Sequence, residues 1–317
     1  MDGDDLPDAY QSDLSERATP KMAERYAVLS FGTLDRLRAL GGLGSGNFGH
    51  SGRPGEIGGS APDGGAGGGG LSSSLDKKYG EIVEAPVHKV KDIATAVELL
   101  QKGEYVELES ITKVNTLLGE LARIANEATA LGKDAPEYDL CKVSVPNTNL
   151  FCGSAVKTRV FPNGVPRLSM PQIGGKPRPG SEADKLPKDK NGEVSGADAF
   201  EAHLRGVGIG VGQTESVLAN SLKASQHELI GTKVGGMMSN AGYDPGKKPI
   251  FVSSDGYVID GHHRWAAVVG RDAANGKLGE LKMNVKVIDM PITKVMQLAD
   301  LWAQEFGILP KQAKKKS

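Results

Sequence analysis

Asp260, Gly261, His262, His263 and Arg264 stand in a row, placing two imidazoles and a guanidinium fork directly after an acid and a glycine. Two short apolar runs precede them, Ile250-Phe251-Val252 and Tyr257-Val258-Ile259, separated by Ser254-Asp255-Gly256. Asp-Gly between such runs predicts a β-hairpin. From His262 onward, Trp265, Val268 and Val269 fall on one helical face among alanines, which predicts a helix with Asp260 as its N-cap. A helix N-terminus carries unpaired N–H groups and the positive end of the macrodipole, and so favours acidic neighbours. Three basic residues in that turn have the wrong sign for an isolated helix and the right sign for a polyanion site. Backbone N–H groups, imidazoles and a guanidinium together suit a phosphate. The competing explanation is structural, with Arg264 on a carboxylate and the histidines on backbone carbonyls.

Phosphoryl chemistry needs neutralised non-bridging oxygens, an oriented nucleophile and usually Mg²⁺ on a carboxylate. Gly261, His262, His263, Arg264 and Gln226 are the candidate phosphate- and nucleotide-binding residues. His263 is the leading catalytic candidate, because imidazole titrates near neutral pH; Glu228 and His262 are the others. Asp260 and Glu228 are the candidate metal ligands. Glu228 carries two readings of equal weight. It closes a capping box opened by Ser225, or it is a base or metal ligand facing the His-His-Arg turn. Zinc on His262 and His263 is discounted, since adjacent residues on a first helical turn do not converge on one ion.

A strand, Asp-Gly-His-His-Arg and a small-residue helix resemble the signature box of the ParB/sulfiredoxin superfamily. That superfamily includes chromosome-partition ParB domains, ParB-like nucleases, sulfiredoxins and a free serine kinase. Residues 222–229 resemble its first box, so the resemblance covers about 215–309, roughly a third of the chain. It implies a nucleotide polyphosphate seated on the turn, with a nucleoside triphosphate (ATP or CTP) and Mg²⁺ as cofactors. His262 stands where sulfiredoxin has its catalytic cysteine, which argues against sulfinic-acid reduction. His262 and His263 also replace the Glu-Arg pair of ParB, a departure from partition-type CTP switching. The implied activity is that of a phage-type ParB-like protein, cleaving phosphodiesters or hydrolysing a nucleotide, with DNA as a further partner. Two alternatives stay open: an ATP- or ADP-dependent small-molecule kinase, and a non-catalytic virion-associated accessory protein. On this reading Arg264→Ala abolishes polyphosphate binding with little loss of fold.

The totals bound these readings. Lys and Arg number 38 against 39 Asp and Glu in 317 residues, so no global basic field demands nucleic acid. Aromatics are 5% and glycines number 43, which leaves much of the chain outside a packed core. Two cysteines, Cys141 and Cys152, point to a reducing compartment and to half-buried thiols in preference to a bridge. No apolar run reaches the length of a membrane span, and the acidic start is unlike a signal peptide. The expected location is the host-cell cytoplasm, or a virion assembled there.

The elements that must position the turn form an α+β chain. Residues 1–40 are expected to be an acidic disordered start followed by an amphipathic helix from Pro20, with Met22, Tyr26, Leu29, Leu34 and Leu37 at helical spacing. This region is the candidate contact to a phage head or portal. Residues 41–80 read as a glycine-rich motif and linker, resembling segments between modules of phage head-associated and polyvalent proteins. A small α+β domain over 83–172 is expected to hold a helix around 93–100, a strand at 105–108 and a long helix capped by Thr112. Strands at 138–145, 150–152 and 167–170 complete it, with Lys142 and Arg167 as neighbours in a basic groove. A basic loop fills 173–196. The ParB/sulfiredoxin-like domain occupies 197–309, with strand-like alternation over 206–212, a strand near 216–219, a helix capped by Ser225, a strand at 281–288 and a last helix from Pro291. A basic tail, 310–317, ends the chain.

Overall fold

Ile250, Phe251 and Val252 alternate between two hydrophobic clusters, as the period-two geometry of a strand requires. The computed structural model describes residues 86–153, 155 and 164–311. The expected acidic start, N-terminal helix, glycine linker and the tail lysines beyond Lys311 lie outside the described residues.

In chain order the elements are β1 (Val87–Val90), α1 (Ile93–Gln101), β2 (Tyr105–Leu108), α2 (Ile111–Ala130) and β3 (Val143–Ser144). There follow β4 (Gly174–Gly175), β5 (Val194–Ser195), α3 (Ala197–Gly206), β6 (Glu215–Leu218), β7 (Lys223–Ala224) and α4 (Gly231–Ser239). The last are β8 (Ile250–Ser253), β9 (Tyr257–Val258), α5 (His262–Asp272), β10 (Lys282–Ile288) and α6 (Ile292–Phe306). The fold is α+β. A three-stranded parallel sheet runs β1-β2-β3, a mixed five-stranded sheet runs β6-β10-β8-β9-β7, and β4 pairs antiparallel with β5.

One face of the five-stranded sheet joins the cluster that contains α2, α4 and α5. On α2, Val114, Leu117, Leu118 and Leu121 are fully buried at helical spacing. Each such side chain contributes about 1.5–3 kcal/mol, and Leu121→Ala costs about 2–5 kcal/mol. The α2–α4 crossing is close because Gly235 has no Cβ: one built there lies 2.7 Å from the Leu118 carbonyl oxygen and 2.8 Å from the Ala122 nitrogen. The packing therefore crosses the boundary expected at 173–196, and residues of the 83–172 segment share this cluster with Trp265, Val268 and Val269. The other face joins α3 and α6. There Trp302 stacks on Phe306, ring centroids 4.7 Å apart, and meets Phe200 at a tilt, 5.0 Å away.

Several expected elements differ. Strand 138–145 shrinks to β3, because the Asp139 carboxylate accepts the Cys141 N–H at 3.0 Å and folds Leu140–Lys142 into a 3₁₀ turn. Residues 150–152 turn as well: Phe151 has φ +48° and Gly153 N–H donates to Leu150 O at 3.1 Å. Arg167–Ser169 is a 3₁₀ turn after Pro166, not a strand. Over 206–212, Gly208 sits at φ +81°, and only Val211 makes a bridge, to Ile288. The expected thiols are joined in a Cys141–Cys152 disulfide. Among the described residues no helix is long and apolar enough to cross a membrane.

Candidate functional site

The β8–β9 hairpin and α5 form as the sequence indicates, and residues 260–264 follow directly on β9, an inner strand of the sheet paired with β8 and β7. Asp260 is not the cap, however. Gly261 holds that position in the left-handed region, φ +83°, and no side chain caps the helix. Only glycine fits: a Cβ there lies 2.5 Å from Ile250 Cγ2 and 2.9 Å from Arg264 Nη2. The first turn of α5 contains no acidic residue. An α-helix leaves its first N–H groups without intrahelical partners, so this end keeps its positive character.

The N-terminus of α5 opens onto a cavity of about 70 Å³. Gln226, Asp260, Gly261, His262 and His263 line it, as expected for a shared site. Arg167, Lys311 and Glu193 line it too; the sequence offered Arg167 only for a basic groove with Lys142 and named none of the three for this turn. Its size suits one tetrahedral anion or a few waters, well below the ~300–1,000 Å³ of pockets that enclose a whole drug-sized ligand.

Arg264 is placed differently. It is 2% exposed, does not line the cavity, and donates from Nη1 to the Lys248 carbonyl at 2.9 Å. The guanidinium expected on the anion thus props the turn from behind. The helical wheel holds the signal for this, since Arg264 lies four residues before Val268 and shares its buried face. Arg167 and Lys311 are the guanidinium and ammonium that face the cavity instead. Lys142, the expected neighbour of Arg167, turns elsewhere, donating to the Gly103 carbonyl and lying over the Tyr105 ring.

Both histidines are buried and engaged. His262 Nε2 lies 3.3 Å from the Ser225 N–H, which donates to it, and 3.0 Å from Ser225 Oγ. Ser225 Oγ in turn donates to the Val258 carbonyl at 2.5 Å. Ser225 therefore caps no helix; α4 opens only at Gly231, so the capping-box reading of Glu228 falls away. Burial pushes the His262 imidazole down to about 3, so the ring is neutral near pH 7 and adds no positive charge. His263 Nε2 accepts the Ile230 N–H at 3.1 Å.

Glu228 does not line the cavity. Burial raises its carboxyl above the usual range, Asp139 and Glu137 add to the rise, and Arg167 opposes it. The pair expected to share Mg²⁺ is therefore split, with Asp260 on the cavity and Glu228 off it. Among the described residues no three His, Cys, Asp or Glu side chains gather as a metal site. Gln226 lines the cavity and its side-chain N–H donates to the Glu228 carbonyl.

The arrangement can hold an anion between helix N–H groups, Arg167 and Lys311, with Asp260 and Glu193 at its side. No protein-family model matches the chain, and neither the curated proteins nor the solved structures searched contain a match.

Proposed function

We propose that this cavity seats one phosphate group of a nucleotide or nucleic acid, and that the protein is a ParB-like phosphoesterase. The observation that carries the reading is the uncapped N-terminus of α5 opening onto a cavity also lined by Arg167 and Lys311. Helix N–H groups and two cations match the charge of a phosphate. The resemblance of the Asp-Gly-His-His-Arg turn to the ParB/sulfiredoxin box supports the same ligand class. Asp260, beside those N–H groups, is the candidate base that orients water on the phosphorus. The chemistry is cleavage of a phosphodiester or hydrolysis of a nucleotide such as ATP or CTP. The ~70 Å³ cavity leaves a base and ribose outside, on the protein surface.

A binding-only accessory role, docked to a phage head through the N-terminal region, is the second reading. The observation favouring it is that two catalytic candidates are withdrawn: Glu228 lies off the cavity and His262 is neutral and held by Ser225. The test is turnover by the full chain on ATP, ADP, CTP, GTP and supercoiled plasmid, with and without Mg²⁺. Hydrolysis or nicking lost in Asp260→Asn supports the esterase. Saturable binding without turnover selects the accessory role, and neither binding nor turnover overturns both.

A further inference from the structure

We propose that the Cys141–Cys152 disulfide is a redox clamp on this cavity, released by a dithiol reductant. Residues 226–231 form a strap whose two ends meet the site: Gln226 lines the cavity, and Ile230 N–H holds His263 Nε2 at 3.1 Å. The strap has little regular structure of its own, since β7 ends at Ala224 and α4 begins at Gly231. Its near end is held by Val165, which bridges Gln226 and accepts the His227 N–H at 2.7 Å, and its far end by the 138–141 segment. Leu140 N–H donates to Leu229 O at 2.8 Å, and Gly231 N–H donates to Tyr138 O at 2.6 Å. The Asp139 carboxylate binds both sides, accepting the N–H groups of Cys141 and Leu229 at 3.0 Å each.

The disulfide fixes that segment. Cys141 ends it, and Cys152 sits in the turn that lies on the other end of the strap, its Sγ 3.8 Å from the Gln226 carbonyl oxygen. One covalent bond therefore ties the piece of chain that grips the strap at Leu229 to the turn that touches it at the Gln226 carbonyl. The exchange is balanced as follows. A thiolate of the reductant attacks Sγ of Cys141, the less buried of the pair, and Cys152 leaves as a thiolate. The second thiol of the reductant resolves the mixed disulfide. The reductant ends as a disulfide, and its two electrons and two protons end on Cys141 and Cys152. Freed of the bond, the grip on 226–231 weakens and the cavity loses its fixed shape.

This inference rests on the phosphate reading only for one of its three readouts, the phosphate titration. The full chain, oxidised or treated with dithiothreitol, is followed by thiol alkylation, by amide hydrogen exchange and by titration with inorganic phosphate. The oxidised protein should show no alkylatable thiol, and reduction should expose both. Protection of the Leu229, Ile230 and Gly231 amides should fall about tenfold on reduction while amides of α6 hold, and phosphate affinity should fall by a similar factor. The Cys141→Ser/Cys152→Ser variant should match the reduced protein and respond no further to dithiothreitol. Two free thiols in the natively folded, oxidised protein overturn the proposal, as does unchanged protection of the strap on reduction. A response of the double variant to the reductant overturns it equally. If the oxidised protein binds no phosphate, the phosphate reading fails and the alkylation and amide readouts decide the clamp.

Discussion

Ile230 donates its backbone N–H to Nε2 of His263 across 3.1 Å, so a nitrogen nominated for phosphate is already committed to the fold. The two residues are buried, and the bond ties the 226–231 strap to the first turn of α5. His263→Ala leaves that N–H without its acceptor, which costs about 1–3 kcal/mol for a buried donor. Urea unfolding should show a loss of that size. A variant as stable as the parent contradicts this role.

Gly261 should tolerate no side chain. Its φ of +83° alone costs a non-glycine residue about 1–2 kcal/mol, and the Cβ would meet Ile250 at 2.5 Å. Gly261→Ala is expected to lower the unfolding free energy by about 2 kcal/mol or more. Thermal melts of the two proteins make the comparison, and equal midpoints would refute it.

Arg264 and Arg167 should separate stability from binding. Arg264→Ala removes a buried side chain and leaves the Lys248 carbonyl without its donor, an expected loss of about 2 kcal/mol. The expectation from sequence that this variant keeps its fold is thereby reversed. Arg167→Ala, at the cavity, should weaken phosphate binding about tenfold and cost less stability than Arg264→Ala. Chemical denaturation and calorimetry on both variants decide it. An Arg264→Ala protein of parental stability that has lost phosphate binding would restore the original assignment.

Acid should destabilise the protein through two neutral histidines. Burial pushes His203 down to about 4 and His262 to about 3, from 6.5 in an exposed ring. His203 is buried with neither ring nitrogen hydrogen-bonded. Between pH 6.5 and 4 the unfolded chain binds protons that the folded one refuses, so stability falls as pH falls through that window and is unaffected by these groups above it. At about 1.4 kcal/mol per pH unit, His203 alone accounts for about 3 kcal/mol by pH 4. His203→Phe should flatten part of the slope in a series of urea melts. An unchanged slope would show that His203 is not its source.

The parts of the fold visible in the sequence are those governed by local repetition. The α2 stripe Val114, Leu117, Leu118 and Leu121, the Asp-Gly hairpin and the α6 face all follow from spacing, and all form. The turn over 260–264 was legible for the same reason, because a strand stop and a helix start are local events. Side-chain direction within it was not. Arg264 has the type that suits an anion, yet its place four residues before Val268 turns it to the core. Arg167 and Lys311 reach the cavity from a 3₁₀ turn and from beyond the last helix, segments without periodicity that the tertiary fold alone brings together. The strands expected at 138–145 and 150–152 failed where single polar or turn contacts, Asp139 to Cys141 and Gly153 to Leu150, outweighed β-propensity. The disulfide was passed over in favour of free thiols because a spacing of 11 residues says nothing of whether two cysteines meet.

The central claim is that a phosphate sits between the N-terminus of α5, Arg167 and Lys311. Its most direct test is calorimetric titration of the full chain with inorganic phosphate and with ATP, beside the Arg167→Ala/Lys311→Ala variant. The account predicts saturable binding to the parent and a loss of about a hundredfold or more in the folded variant, two charge-assisted contacts having been removed. No saturable binding by the folded parent, or equal binding by the variant, contradicts it.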